Sequence, residues 1–142
     1  MIDDLHVYIH WPFCRKKCRY CDFISLPERS THERSRYLEA LNRELRYRIG
    51  VGMLEQATLQ TIYFGGGTPS LMTKDELSLL IEQLESIFPS NNTKEVTLEI
   101  NPSTISNKTL NEMIECGVNR LSVGIQTFQE RYLRFLGRSQ TA

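Results

Sequence analysis

The chain has 142 residues, about one domain's worth. Its 17 basic side chains balance 17 acidic ones, so no net field favours nucleic acid or an anionic membrane. Apolar residues make up 40% of the chain and charged residues 24%, an ordinary soluble composition, and no apolar run approaches the ~20 residues of a membrane span.

The acidic start Met1-Ile2-Asp3-Asp4 lacks the apolar stretch of a secretory signal, so a cytoplasmic location is expected. Leu5–His10 alternates and reads as a first strand. Trp11–Pro27 holds three cysteines and two prolines and reads as a loop. Thr31 starts a helix without a full capping box, because Arg34 rather than Glu stands at N3. Tyr37, Leu38, Leu41, Leu45 and Ile49 carry that helix to Gly50. Thr61–Phe64 is the second strand, followed by Gly65-Gly66-Gly67-Thr68-Pro69. Thr73 caps the next helix, with Glu76 at N3 completing a capping box, and Leu77, Leu80, Ile81, Leu84 and Ile87 form its apolar face. Val96–Asn101 is the third strand, and Ser106 caps a helix that ends at Cys116-Gly117. Arg120–Gln126 is the fourth strand, and a last helix begins near Gln129.

Strands alternating with helices imply βα units and a parallel sheet. The predicted fold class is α/β: four βα units, the amino-terminal part of a TIM-like barrel of parallel strands. A closed barrel takes about 250 residues, so the chain is expected to be a piece of a longer protein. The alternative is an open four-stranded sheet, complete as it stands. One face of each strand is apolar and suits the helices. The other reads His6, Tyr8, His10, then Thr61, Tyr63, Gly65, then Thr97, Glu99, Asn101, then Ser122, Gly124, Gln126. A polar inner face leaves buried groups in need of partners, which water or a polar ligand in a lumen supplies.

Cys14, Cys18 and Cys21 fall within eight residues and Cys116 lies far away, which suits a metal or cluster site better than a disulfide framework. Thiolate sulfur suits zinc, copper(I) and iron–sulfur clusters. Structural zinc takes four protein ligands, for which His10 and Cys116 are the remaining candidates. Three thiolates on a [4Fe–4S] cube leave one iron open. The spacing does not choose between these. The glycine run reads as close backbone approach to a ligand, with N–H groups exposed.

Cys14-x₃-Cys18-x₂-Cys21 after the first strand, with Tyr20 before the third cysteine, resembles the radical S-adenosylmethionine (SAM) superfamily signature. The run Gly65–Pro69 resembles that superfamily's glycine motif. Five segments resemble one family within it, the oxygen-independent coproporphyrinogen III oxidases and the related heme chaperones: Tyr8–Cys14, Arg19–Phe23, Tyr63–Ser70, Glu99–Pro102 and Arg120–Gln126. The resemblance makes residues 1–142 the amino-terminal part of a radical SAM core domain. It implies a [4Fe–4S] cluster on Cys14, Cys18 and Cys21, and SAM contacts at Tyr8, Tyr20, Gly66, Gly67, Thr68, Glu99, Gln126 and Arg138. Arg138 also reads as a plain surface helix residue, and Cys116 as a buried helix-end thiol. The oxidase branch usually carries a further cysteine two positions after the third one; here Phe23 stands there, which resembles the chaperone branch. The implied partners are SAM, heme or a porphyrinogen, an electron donor and a heme-accepting protein.

Overall fold

The architecture comes from a computed structural model that describes residues 4–27, 30–52, 54, 57–88 and 95–141. The first strand, β1, spans Asp4–Trp11. The segment after it is not wholly irregular: two short strands, β2 (Phe13–Cys14) and β3 (Leu26–Pro27), pair parallel and close the base of the cysteine loop. Helix α1 follows at Thr31–Gly50, capped by Ser30, whose hydroxyl accepts from the Glu33 N–H. The cap therefore sits one residue earlier than expected, since Ser30 and Thr31 are both competent and the chain uses the first.

Strand β4 spans Thr58–Gly66, helix α2 Lys74–Ile87, strand β5 Glu95–Ile100, helix α3 Asn107–Glu115, strand β6 Arg120–Val123 and helix α4 Glu130–Leu136. β1, β4, β5 and β6 form one parallel sheet in that order. β4 begins three residues before the expected Thr61. A register shift beside Leu5 and His6 flips the side-chain phase, so Leu59 and Ile62 both reach the core. β6 stops at Val123 rather than Gln126: the Ile125 N–H turns back to Val123 O at 3.1 Å, and Gln126, with a φ of +66°, lies outside the extended region.

The expected capping box at Thr73 and Glu76 is present, and Ser106 caps α3 as expected. α3 ends in a Schellman turn at Gly117 (φ +95°), with Val118 N–H donating to Met113 O and Gly117 N–H to Ile114 O. Leu77, Leu80, Ile81 and Leu84 of α2 are buried against Ile62, Phe64, Val96 and Leu98. Each such side chain contributes about 1.5–3 kcal/mol by leaving water.

The opposite sheet face is polar, as the alternation predicts, but it satisfies much of itself. His6 Nδ1 meets Thr61 Oγ1 at 2.9 Å, the Tyr63 hydroxyl donates to Glu99 Oε1 at 2.8 Å, and Arg120 donates to Glu95 at 3.0 Å and to Thr97 at 3.4 Å. These cross-strand bonds supply partners that the sequence reading assigned to water or a ligand.

Candidate functional site

All four strands of a parallel sheet end on the same edge, and ligands gather there. The loop after β1 is anchored at that edge by Trp11 and Phe13, both buried and stacked edge-on at 5.0 Å between ring centroids. Arg34 lies over the Trp11 ring at 5.2 Å and bonds Glu76 and the Leu71 carbonyl, which ties the anchor to α2. Leu26 N–H donates to Pro12 O at 2.7 Å and His10 Nε2 to Ile24 O at 2.8 Å, closing the loop's base. Arg19 N–H donates to Leu136 O at 3.2 Å, which pins the loop's far side to the end of α4.

Cys14, Cys18 and Cys21 all line one cavity of ≈ 250 Å³. Cys14 is buried, and its sulfur accepts from Thr68 Oγ1 at 3.3 Å. Cys18 and Cys21 are half-buried on a turn in which Cys21 N–H donates to Cys18 O at 3.2 Å. The same cavity is lined by Tyr20, Gly66, Gly67, Thr68, Glu99, Gln126 and Arg138. Tyr8 does not line it. Tyr8 is 56% exposed, stacks on Tyr63 at 5.9 Å and meets His10 Nδ1 at 3.1 Å.

The glycine run differs from the expectation in one respect. Its N–H groups are occupied: Gly66 donates to Glu99 Oε2 at 3.1 Å, Gly67 to Trp11 O at 2.7 Å and Thr68 to Phe13 O at 2.9 Å. The close approach that needs glycine is to the chain itself. A Cβ on Gly67 would stand 2.8 Å from Pro12 O and 2.9 Å from Phe13 O, and one on Gly66 (φ +112°) would meet the His10 ring at 2.6 Å. The run therefore holds the cysteine loop in place. Its partners lie some fifty residues away in sequence, where no local pattern reveals them.

Glu99 is fixed by Tyr63 on one oxygen and Gly66 on the other, leaving each oxygen further acceptor capacity toward the cavity. Burial, then the bond to Glu99, push the Tyr63 hydroxyl above its usual range. Burial likewise raises the Tyr20 phenol, with Arg138 opposing and Cys18 and Cys21 adding to the rise.

Arg138 is not a surface helix residue. Gly137 (φ +74°) ends α4 in a second Schellman turn, with Arg138 N–H on Leu133 O at 2.9 Å, and throws the side chain back to the sheet. There Arg138 donates to Asn101 Oδ1 at 3.2 Å, to Gln140 Oε1 and to the Gly124 carbonyl. Gln126 holds a left-handed backbone at the cavity wall, a strained conformation of the kind found at functional sites.

The motifs do not single out Lys16, Lys17 or Ser25, which also line the cavity, whereas Ser122 lines it from the polar face that the alternation predicts. Lys16 and Lys17 are legible as two of the three residues between the first two cysteines. Ser25 carried no signal, and its Oγ is buried without a hydrogen-bond partner.

The donor set fits a [4Fe–4S] cluster with an open corner. Cys116 lies at the α3 end, half-buried rather than buried, with its sulfur against Ser78 at 3.2 Å and outside the cavity. His10 Nε2 is committed to Ile24 O. Among the described residues no three His, Cys, Asp or Glu side chains converge as a single metal ion needs. A cubane spreads its thiolates over different irons, which suits three thiols distributed around one cavity. Among the described residues no helix is long and apolar enough to cross a membrane.

Comparison with known proteins agrees with this geometry. The Radical SAM superfamily matches residues 8–142. The heme chaperone HemW of Bacillus subtilis is 39% identical over 132 residues, 92% of this chain and 34% of the relative. The oxygen-independent coproporphyrinogen III oxidase of Salmonella typhimurium is 33% identical over 136 residues, 96% of this chain and 29% of the relative. The solved structure of the Escherichia coli coproporphyrinogen III oxidase HemN, a radical SAM enzyme, superposes with a TM-score of 0.88 at 32% identity, covering 98% of this chain and 32% of that one. The chain thus spans about a third of the length of the relatives it matches. Three cysteines on one cavity, a glycine run that seats their loop, and a match over almost every residue place the chain in the Radical SAM superfamily, whose cofactors are a [4Fe–4S] cluster and SAM.

Proposed function

We propose that Cys14, Cys18 and Cys21 hold the [4Fe–4S] cluster, and that SAM lies against Tyr20, Gly66, Gly67, Thr68, Glu99, Gln126 and Arg138, with Tyr8 at the margin. The observation that supports this reading is the single cavity shared by the three cysteines and seven of those residues. Cys14, Cys18 and Cys21 would hold a cluster that, once reduced by an external electron donor, would supply the electron for reductive cleavage of SAM. The chain's own residues bind, orient and exclude water. Glu99, held by Tyr63 and Gly66, offers a fixed anion for ribose hydroxyls or the ligand's ammonium. Arg138, held by Asn101 and Gln140, offers a cation for the carboxylate end.

The activity we favour is that of a heme chaperone, which binds heme and passes it to an acceptor protein. Phe23 supports it: it stands where the oxidase branch carries a cysteine, lines the cavity and is 65% exposed, an apolar surface fit for a flat macrocycle. The second reading is the oxidase, favoured by the 0.88 superposition on HemN. That activity would need an electron donor and a porphyrinogen. Heme titration set beside anaerobic turnover of coproporphyrinogen III with SAM and a reductant separates the two. We expect stoichiometric heme binding with the porphyrinogen unchanged; decarboxylated product would assign the oxidase instead.

A further inference from the structure

Two hydroxyls of the cysteine cavity bear on the cluster itself: that of Thr68, placed above against SAM, and that of Ser25, which has no role in the proposed function. Thr68 Oγ1 donates to the Cys14 sulfur at 3.3 Å, and both residues are buried. Ser25 lines the same cavity, four residues past Cys21, and its Oγ is buried with no partner. A buried hydroxyl without a hydrogen bond costs about 1–3 kcal/mol, so a partner is owed to it. The backbone on both sides of Ser25 is fixed: Ile24 O accepts from His10 at 2.8 Å, and Leu26 N–H donates to Pro12 O at 2.7 Å. Ser25 is thus held at the cavity wall by its backbone neighbours before any ligand arrives. The sulfurs of a bound cluster are the acceptors such a hydroxyl lacks, and hydrogen bonds to cluster sulfur help set reduction potential.

We propose that Ser25 and Thr68 are positioning residues that donate hydrogen bonds to the sulfur of the cluster held by Cys14, Cys18 and Cys21, and that they raise its reduction potential. The inference rests on the cluster assignment made above. Reduction adds negative charge to the cluster, and a donor aimed at sulfur stabilises that charge more than it stabilises the oxidised form. Loss of either donor therefore makes the cluster harder to reduce.

The test uses Ser25→Ala and Thr68→Val beside the hydroxyl-retaining Ser25→Thr and Thr68→Ser. Each is reconstituted anaerobically, titrated potentiometrically with EPR detection, and examined for exchangeable proton couplings after transfer to D₂O. At equal iron content, the hydroxyl-lacking variants should show a reduced-to-oxidised ratio at fixed potential that falls several-fold, up to about tenfold, or about 59 mV for one electron. Each should also lose one exchangeable proton coupling, and the hydroxyl-retaining variants should keep both properties. An unchanged midpoint and unchanged coupling in Ser25→Ala would mean that water partners this hydroxyl, and would overturn the proposal. If Ser25→Ala takes up too little iron to titrate, Ser25→Thr decides: wild-type values uphold the proposal and altered values reject it. A wild-type protein that takes up no iron removes the cluster reading and this inference together, whereas loaded variants with unshifted potentials remove only the inference.

Discussion

Two rims enclose the cavity, and they are built differently. The rim after β4, Gly65–Thr68, is buried or half-buried and has Gly66, Gly67 and Thr68 N–H groups bonded to Glu99, Trp11 and Phe13. The rim after β1 keeps Trp11–Cys14 buried, then runs largely exposed through Arg15–Ile24, touching the body through Arg19 and His10. One rim is a finished part of the scaffold. The other presents thiols to a cavity and has little apolar burial of its own. Apolar burial is concentrated at the loop's root, and the loop's tip is held by a few backbone bonds around its thiols.

The comparison breaks most sharply at the cysteines. Cys18→Ala is expected to abolish cluster uptake, since three thiolates leave no spare ligand, while the stability of the iron-free chain stays within about 0.5 kcal/mol. Iron and sulfide analysis with chemical denaturation reads both quantities; retained iron would contradict the ligand set. Gly67→Ala should do the reverse. Its Cβ would press on the carbonyls of Pro12 and Phe13, backbone atoms that cannot swing aside, at a cost of about 1–3 kcal/mol in the iron-free protein. A denaturation midpoint equal to wild type would show that the glycine rim is not a scaffold.

A pH titration sharpens the same contrast. Burial and then the Glu99 bond raise the Tyr63 phenol, so the folded chain holds that proton longer than the unfolded chain does. The contribution to stability is complete below pH about 10 and is lost as pH rises through the folded value. Stability should fall above that pH, and Tyr63→Phe should flatten the fall; an identical alkaline limb in the variant would refute the role given to Tyr63. The smallest effect is expected at Gln126→Gly. Relief of the left-handed backbone and the added freedom of the unfolded chain oppose each other, leaving stability within about 1 kcal/mol of wild type. SAM affinity should nevertheless weaken, as isothermal titration of the reconstituted protein would show.

Much of this was legible in the sequence where the signal is local. The Thr73–Glu76 capping box, the Ser106 cap, the α3 stop at Gly117 and the two-residue alternation of β1 and β5 are set by neighbours in the chain. The spacing of the cysteines and the place of Glu99 on the inner face were equally local. What could not be read depends on distant partners. The Gly67 and Thr68 N–H groups find the carbonyls of Trp11 and Phe13 at the root of the cysteine loop, Arg138 reaches the site through a turn at Gly137, and Ser25 becomes notable only once its hydroxyl is seen buried and unpaired. The alternation of β6 misled at its end because periodicity carries no information on φ, and Gln126 adopts a value that few side chains tolerate. Leu121 and Val123 follow the aliphatic pattern of the other strands, yet they are 41% and 46% exposed at the sheet's edge; pattern predicts a face, and only packing covers it.

The most direct test of the account is the EPR spectrum of the anaerobically reconstituted, dithionite-reduced protein recorded with and without SAM. A [4Fe–4S]⁺ signal whose g-values shift on adding SAM, and which is absent from Cys18→Ala, is the predicted result. Purified protein carrying a tetrahedral zinc on four of its own side chains, or a cluster signal unmoved by SAM, would contradict it.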